Sequence, residues 1–328
     1  MADFFPGFEH RRIATSGAEI DLVTGGSGPP LLLLHGYPQT HVMWRKIAPR
    51  LAQDFTLVIP DLRGYGDSSK PPSTPDHAAY SKRALALDQV ETMAAVGFER
   101  FRVAGHDRGA RVTHRLLRDH PGRIERAAVH DIVPTLYRFE TIDQKAATGS
   151  FHWFFLIQPA PFPERMIAAE AEFFLRQMLG LHRNPNALEP EVFAEYLRCF
   201  QNPETIRATC EEYRAGAAID LDHDRADRAR KVAMPLLVLW GERSGQGSRY
   251  DMLAVWREHA EDVRGHAIAS GHFIPEEAPD DAYRGAARIL RRELTPASLD
   301  RGRSARPEST MRHRGSVRTQ SHCLTASL

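Results

Sequence analysis

Short apolar runs of strand length alternate along this 328-residue chain with longer segments of helix-forming residues. A continuous run such as 30–35, with four successive leucines, is typical of a strand buried on both faces. The alternation therefore predicts an α/β fold with a mostly parallel sheet covered on both faces. The predicted strands are 12–15, 19–24, 30–35, 55–60, 101–104, 126–131, 235–241 and 263–269, the first two forming an antiparallel hairpin. The predicted helices are 44–53, 82–96, 110–119, 249–258 and 280–293.

The segment between strands 126–131 and 235–241 does not follow this alternation. It is rich in aromatic residues and helix formers, which predicts a helical insertion at residues 135–222. The core would then comprise residues 1–134 and 223–295. We expect the insertion to form a cap over the carboxyl edge of the sheet, where ligands bind in such folds. A cap supplies apolar walls and keeps water away from a reacting centre.

The pentapeptide Gly105-His106-Asp107-Arg108-Gly109 joins a predicted strand to a predicted helix. It matches the nucleophile-elbow pattern G-x-S-x-G with aspartate in place of serine. Small flanking residues are needed because the central residue of such a turn is strained and points outward. A carboxylate is already anionic at pH 7 and can displace a leaving group from a saturated carbon. The pattern favours a dehalogenase or an epoxide hydrolase over an esterase.

A histidine late in the chain is the candidate general base. His272 follows Gly271 just after the last predicted strand, which suits the order nucleophile, acid, histidine. The acid that would orient it is left open by the residues alone. Asp131 ends one predicted strand, 126–131, and Glu242 and Asp251 follow the next one, 235–241. An aspartate at a strand end is often only a turn or helix-cap residue.

Further candidates surround the elbow. The dipeptide His35-Gly36 follows the four-leucine strand, so the backbone N–H groups of Tyr37 and Arg108 would form an oxyanion hole. Arg108 and Arg111 are three apart and share one region of a helix surface. Two guanidinium groups beside an anionic nucleophile indicate a substrate that is itself a small carboxylate. They should also keep the pKa of Asp107 low.

Composition narrows the class of protein. A content of 42% hydrophobic and 26% charged residues is that of an ordinary globular protein, and a net charge of +1 argues against a nucleic-acid binder. No apolar run is long enough for a membrane span, and the start lacks a signal-peptide core. Three cysteines without metal-ligand spacing predict reduced thiols in a cytoplasmic protein.

The last residues, 296–328, differ from the rest. From residue 301 onward this stretch holds six arginines, one acidic residue and many serines and threonines, with almost no apolar periodicity. Such a composition cannot bury a core, which predicts a basic disordered tail. Binding to an acidic partner is one interpretation of this charge, and an extension with no folded role is the simpler one.

The strings 103–112 (VAGHDRGARV) and 131–135 (DIVPT) closely resemble the fluoroacetate, or haloacetate, dehalogenases. These are α/β-hydrolases with a helical cap. The resemblance covers roughly residues 3–294. Further matching strings are 151–154 (FHWF), 210–215 (CEEYRA) and 271–277 (GHFIPEE).

The resemblance implies roles by position. Asp107 would be the nucleophile, His272 the base and Asp131 its orienting acid. Substrate and halide would be held by two groups: Arg108 and Arg111 for the carboxylate, and His152, Trp153 and Tyr213 for the halide. The implied reaction hydrolyses a small haloacid without metal or organic cofactor, and the family suggests a homodimer.

Two other readings compete. An epoxide hydrolase would use the same aspartate and base and would need tyrosines to protonate the epoxide, for which Tyr137, Tyr196 and Tyr213 are available. The arginine pair and the dipeptide His152-Trp153 have no role in that reaction. A ligand receptor on a hydrolase scaffold is a third reading, against which the complete set of catalytic residue types argues.

Overall fold

The computed structural model describes residues 3–290, which contain an eight-stranded sheet. The strands are β1 (Glu9–Ala14), β2 (Glu19–Gly26), β3 (Pro30–Leu34), β4 (Thr56–Pro60), β5 (Phe101–His106), β6 (Ile124–His130), β7 (Leu236–Gly241) and β8 (Val263–Ile268). Their order across the sheet is β1-β2-β4-β3-β5-β6-β7-β8. The pairs β1·β2 and β2·β4 are antiparallel and the others are parallel, which confirms the predicted fold class. The predicted tail, 296–328, lies outside the described residues.

Parallel register brings several loops to one edge of the sheet. Leu34 lies beside Gly105, His106 beside His130, and His130 beside Leu239. The segments that follow β3, β5, β6 and β7 therefore leave the sheet close together. All four leucines of β3 are fully buried, because helices cover both faces of this central strand.

Helices cover the sheet and fill the segment between β6 and β7. Before and after that segment lie α1 (Ala48–Leu51), α2 (Lys82–Ala95), α3 (Arg108–Asp119), α12 (Met252–His259), α13 (Ile274–Glu277) and α14 (Pro279–Leu290). Within it lie α4 (Thr135–Thr141), α5 (Gln144–Gly149), α6 (His152–Leu156), α7 (Phe162–Ala169), α8 (Ala171–Met178), α9 (Pro190–Phe200), α10 (Pro203–Ala217) and α11 (Ile219–Ala226). The predicted boundary at residue 222 falls inside α11, and the division into core and cap stays a prediction.

Two predicted helices begin elsewhere. The helix predicted at 44–53 is a 3₁₀ turn, His41–Trp44, followed by the short α1. Pro49 has no N–H and is tolerated only in a first helical turn, so a helix running through it from residue 44 was the wrong prediction. The helix predicted at 249–258 begins at Met252, because the Asp251 side chain accepts a hydrogen bond from the Ala254 amide at 2.9 Å.

The first strand is longer than predicted. Strand β1 begins at Glu9 and pairs with β2 from Glu9–Thr24 to Ala14–Glu19. Its sequence, EHRRIA, is mostly exposed at the sheet edge, so hydropathy gives little sign of it. Helix α3 also begins earlier than predicted, at Arg108, since the Arg111 amide already donates to the Asp107 carbonyl.

No helix within residues 3–290 is long and apolar enough to cross a membrane. Cys199 and Cys210 are buried free cysteines. Cys323 lies outside the described residues.

Candidate active site

The elbow at Asp107 is a strained turn between β5 and α3. Asp107 has φ 47° and ψ −113°, a conformation that residues with side chains rarely adopt. A Cβ on Gly105 would lie 2.4 Å from the Gly109 carbonyl oxygen, and a Cβ on Gly109 would lie 2.4 Å from the His35 carbonyl oxygen. Both glycines are required because backbones pass too closely for any side chain.

The Asp107 carboxylate is buried and anionic. The Tyr37 amide donates a hydrogen bond to its Oδ2 at 3.1 Å. Gly36 lets this loop approach, since a Cβ there would lie 2.6 Å from Asp107 Cβ. Burial raises the pKa of Asp107, but positive charge on neighbouring groups, first of all His272, outweighs burial and lowers that pKa to about 2. Asp107 is therefore ionised at neutral pH.

His272 lies between two carboxylates. Its Nδ1 is 2.6 Å from Asp131 Oδ2, and its Nε2 is 3.9 Å from Asp107 Oδ1. The first distance is a short hydrogen bond and the second is too long for one. The Nδ1–H group thus donates to Asp131, and Nε2 faces the space beside Asp107. Burial lowers the pKa of His272, but the bond to Asp131 and the charges of both aspartates raise it to about 9.

Asp131 is itself held in place. It is fully buried at φ 56°, and its Oδ1 accepts hydrogen bonds from the Gly241 amide at 3.0 Å and the Ser244 hydroxyl at 2.6 Å. Sequence reasoning missed Ser244, which carries no motif. The other two candidate acids lie elsewhere: Asp251 caps α12, and Glu242 is exposed to solvent.

His106 supports the His272 segment. Its Nε2–H donates to the His272 carbonyl oxygen at 2.8 Å, and the two rings are 4.7 Å apart. Burial and the positive charge of His272 lower the pKa of His106 to about 4, so His106 is neutral. Its place in the elbow pentapeptide was noted, but nothing in the sequence indicated this contact.

The two candidate carboxylate-binding arginines are buried beside the elbow. Arg108 Nε lies 2.9 Å from both carboxylate oxygens of Glu212, and its Nη2 donates to the Glu212 carbonyl at 3.1 Å. Arg111 Nη1 donates to the Val133 carbonyl at 3.1 Å and to the Thr135 hydroxyl at 3.0 Å. Sequence reasoning expected the arginines but missed Glu212 as a partner.

Aromatic rings enclose these arginines. The Arg108 guanidinium lies 4.1 Å from the Tyr213 ring centre, and that of Arg111 lies 4.6 Å from the Trp153 ring centre. The Tyr213 ring is 5.9 Å from His152 and 6.0 Å from Trp153. The structure thus brings together the three predicted halide-binding residues and the two arginines.

His152 also contacts the loop that follows β3. Its ring is stacked with that of Tyr37 at 6.3 Å. Burial lowers the pKa of His152 to about 4, so its imidazole is neutral and carries one N–H donor. Within residues 3–290, no group of three or more His, Cys, Asp or Glu side chains is arranged to hold a metal ion.

A family model for the alpha/beta hydrolase fold matches residues 29–279, which include the elbow and His272. The chain belongs to the alpha/beta hydrolase fold family. It is 44% identical over 93% of its length to a fluoroacetate dehalogenase from Burkholderia sp, of which it covers 100%. The predicted resemblance is thereby confirmed.

Other relatives of this hydrolase are named as an epoxide hydrolase and as an alpha/beta hydrolase. A soluble epoxide hydrolase from Corynebacterium sp. is 34% identical, with 82% of this chain and 93% of that protein covered. The crystal structure of a candidate alpha/beta hydrolase from Nostoc sp PCC 7120 is 54% identical, with a TM-score of 0.84. The match covers 86% of this chain and 98% of the Nostoc chain.

The contacts of His272 predict how its titration depends on Asp131. In an Asp131→Asn variant the pKa of His272 should fall from about 9, because both the charge and the accepting oxygen that raise it are changed. Titration of the His272 ring by NMR measures this value directly. Ser244→Ala, which removes a bond to Asp131 but no charge, is the matched control and should give a smaller shift. An unchanged His272 pKa in Asp131→Asn would contradict the assigned pairing.

Proposed function

We propose that this hydrolase is a dehalogenase that releases halide, and specifically fluoride, from short 2-haloacids such as fluoroacetate. The observation that carries the proposal is the burial of Arg108 and Arg111 beside an anionic Asp107. Burial and the charge of Arg108 lower the pKa of Arg111 to about 10, so an incoming carboxylate would offset a destabilised cation. A neutral substrate would offer no such compensation. The 44% identical fluoroacetate dehalogenase supports the same substrate class.

In the first step, an Asp107 oxygen attacks the carbon next to the substrate carboxylate. A C–O ester bond forms, the carbon–halogen bond breaks with inversion, and halide leaves with the electron pair. Trp153, Tyr213 and His152 supply indole, phenol and imidazole donors to the departing halide. Three bonds to a charged group at about 1.5–3 kcal/mol each would together stabilise it by about 5–9 kcal/mol. The gain speeds the step to the extent that it arises only in the transition state.

In the second step, His272 Nε2 takes a proton from water, and the resulting hydroxide attacks the ester carbonyl of Asp107. The bond between that carbonyl carbon and the ester oxygen then breaks, and the product leaves as the hydroxy acid after its alkoxide takes the proton from His272. The Asp107 carboxyl group loses its remaining proton to solvent and is again a carboxylate. The Tyr37 and Arg108 amides would hold the oxyanion. The Tyr37 amide already donates to Asp107 Oδ2 in the free protein. Esterification also removes the Asp107 charge that helps to raise the pKa of His272. The pKa of His272 would therefore fall, which favours the neutral imidazole at the stage that needs a base.

Epoxide hydrolysis is the alternative, supported by the 34% identical soluble epoxide hydrolase. Of the three tyrosines available for protonating an epoxide, Tyr137 packs on Tyr250 at 5.7 Å and Tyr196 donates to Glu276 at 2.8 Å. Tyr213 alone among these three belongs to the aromatic group beside Asp107. The site thus has fewer of the tyrosines that epoxide hydrolysis needs as proton donors than it has of the groups that would bind a haloacid.

We also propose that the protein is a homodimer that associates through its inserted helices. Phe162, Met166 and Phe173 of α7 and α8 are 54%, 57% and 62% exposed, and Phe151 just before α6 is 50% exposed. Several large exposed apolar side chains on neighbouring helices are typical of an interface.

Fluoride release tests the proposed reaction. Wild-type protein should release fluoride from fluoroacetate and chloride from chloroacetate, and Asp107→Asn should release neither, because the nucleophile is lost. A fluoride electrode and a chloride assay measure both. Chloride release without fluoride release would keep the haloacid class but refute the fluoride assignment. Absence of both, with diol formed from an epoxide, would replace the proposal with the alternative.

Light scattering during size-exclusion chromatography tests the dimer. The wild type should have the mass of two chains, and a Phe162→Glu/Phe173→Glu variant should have that of one, because buried charge opposes association. Leu87→Glu is the control, since Leu87 is 40% exposed on α2, away from these helices. A monomeric wild type would refute the proposal.

A further inference from the structure

Arg108 ends a row of four buried charged side chains. Glu212 accepts from Arg108 Nε, Lys82 Nζ pairs with Glu212 Oε1, and Asp220 Oδ2 lies 3.5 Å from Lys82 Nζ. The Tyr65 hydroxyl adds a bond of 2.7 Å to Glu212 Oε2. Glu212 is fully buried, Arg108 is 1% exposed, and the other two charged groups are 3% exposed. The charges alternate in sign along the row from Asp220 to Arg108.

Stability alone does not explain why four charged side chains are buried together. Burying charges is costly, and apolar residues of similar volume often stabilise a core at least as well as a buried ion pair does. Burial raises the pKa of Glu212, but the charges of Arg108 and Lys82 outweigh it and hold that pKa below its usual range. Glu212 is therefore ionised beside a site expected to bind an anion. Lys82 offsets its charge, so the substrate carboxylate would not face a bare glutamate.

The contacts determine the orientation of Arg108. The Glu212 carboxylate accepts a hydrogen bond from Arg108 Nε, and the Glu212 backbone carbonyl accepts one from Arg108 Nη2. Tyr213 packs against the guanidinium face at 4.1 Å. A Cβ on Gly216 would lie 3.2 Å from Nη2, so α10 limits movement on that side. Of the five N–H donors of a guanidinium, three are left for a ligand, two on Nη1 and one on Nη2.

We propose that Glu212 is a positioning residue that fixes Arg108 with its Nη1 edge toward the substrate carboxylate, while Lys82 neutralises Glu212. This inference rests on the proposed function. Arg108 adjoins Asp107 in the chain, and a guanidinium without a fixed partner would be drawn to the nucleophile itself. Glu212 keeps Arg108 as a receptor for the substrate and leaves Asp107 free to attack.

Paired substrates and variants test this role. Glu212→Gln loses the ionic anchor, and Glu212→Gln/Lys82→Met loses it without changing net charge, which guards against misfolding from an unpaired lysine. Both should raise KM for chloroacetate by about tenfold to a hundredfold, the scale of effect that misplacement of a binding group produces. KM for the neutral chloroacetamide should stay within about twofold, since it has no carboxylate for Arg108 to pair with.

The matched control is Glu211→Gln. Glu211 precedes Glu212 in α10 but pairs with His77 and Arg214, each at 2.6 Å, and should behave as wild type on both substrates. Tyr65→Phe removes one bond to Glu212 and should raise KM for chloroacetate by less than Glu212→Gln does. Equal losses on chloroacetate and chloroacetamide would overturn the proposal, because a general structural defect would act on both. A wild-type KM in the double variant would also overturn it, since charge alone would then matter.

A binding measurement separates this inference from the proposed reaction. In an Asp107→Asn background, chloroacetate should change the fluorescence of Trp153, which lies 4.6 Å from the Arg111 guanidinium. Adding Glu212→Gln should weaken that binding, and Glu211→Gln should not. Absence of turnover in the wild type together with weaker binding in the Glu212 variant would refute the reaction but support the positioning role. Equal affinity for chloroacetate in Asp107→Asn and in Asp107→Asn/Glu212→Gln would refute the positioning role.

Discussion

Asp107 is kept anionic inside the protein by positive groups that surround it, and the rest of the site follows from that balance. A buried charge without a partner costs so much free energy that the group would become neutral or the protein around it would unfold. Here His272, Arg108 and Arg111 oppose the charge of Asp107, while Asp131 and Glu212 oppose part of theirs.

The sheet makes this balance possible. Parallel register places the ends of β3, β5, β6 and β7 together, so that groups from four separate loops meet within hydrogen-bonding distance. Asp131 follows β6 and His272 follows β8, and His272 Nδ1 lies 2.6 Å from Asp131 Oδ2. The helices between β6 and β7 add the other half of the site, because α6 supplies Trp153 and α10 supplies Tyr213 and Glu212.

The balance also changes during the proposed reaction. Bound substrate adds a negative charge beside the arginines, and ester formation then removes one from Asp107. These changes in charge act most strongly on His272, because its raised pKa depends on both Asp131 and Asp107. A site with fixed positions but changing charge can therefore use one histidine first as a positive neighbour of the nucleophile and then as a base.

Local signals made much of this predictable. The elbow could be found because its glycines are dictated by backbone approach, and His272 because its position follows the last strand. The residues alone could not choose Asp131 over Glu242 and Asp251, since whether an aspartate caps a helix or orients a histidine depends on packing.

Long-range partners were beyond sequence reasoning. Glu212 is 104 residues from Arg108 and Ser244 is 113 from Asp131, so neither contact leaves a pattern along the chain. The misplaced start of α1 had a local cause, Pro49, whose effect depends on whether a helix begins before it.

The central claim is that Asp107 forms a covalent ester with the substrate. Single-turnover hydrolysis of fluoroacetate in oxygen-18 water, followed by mass spectrometry of the peptide containing Asp107, tests it most directly. Attack of water on the ester carbonyl should place the label in the Asp107 carboxylate, and the glycolate should carry an oxygen from the protein. Label found only in glycolate, with none in Asp107, would contradict the account.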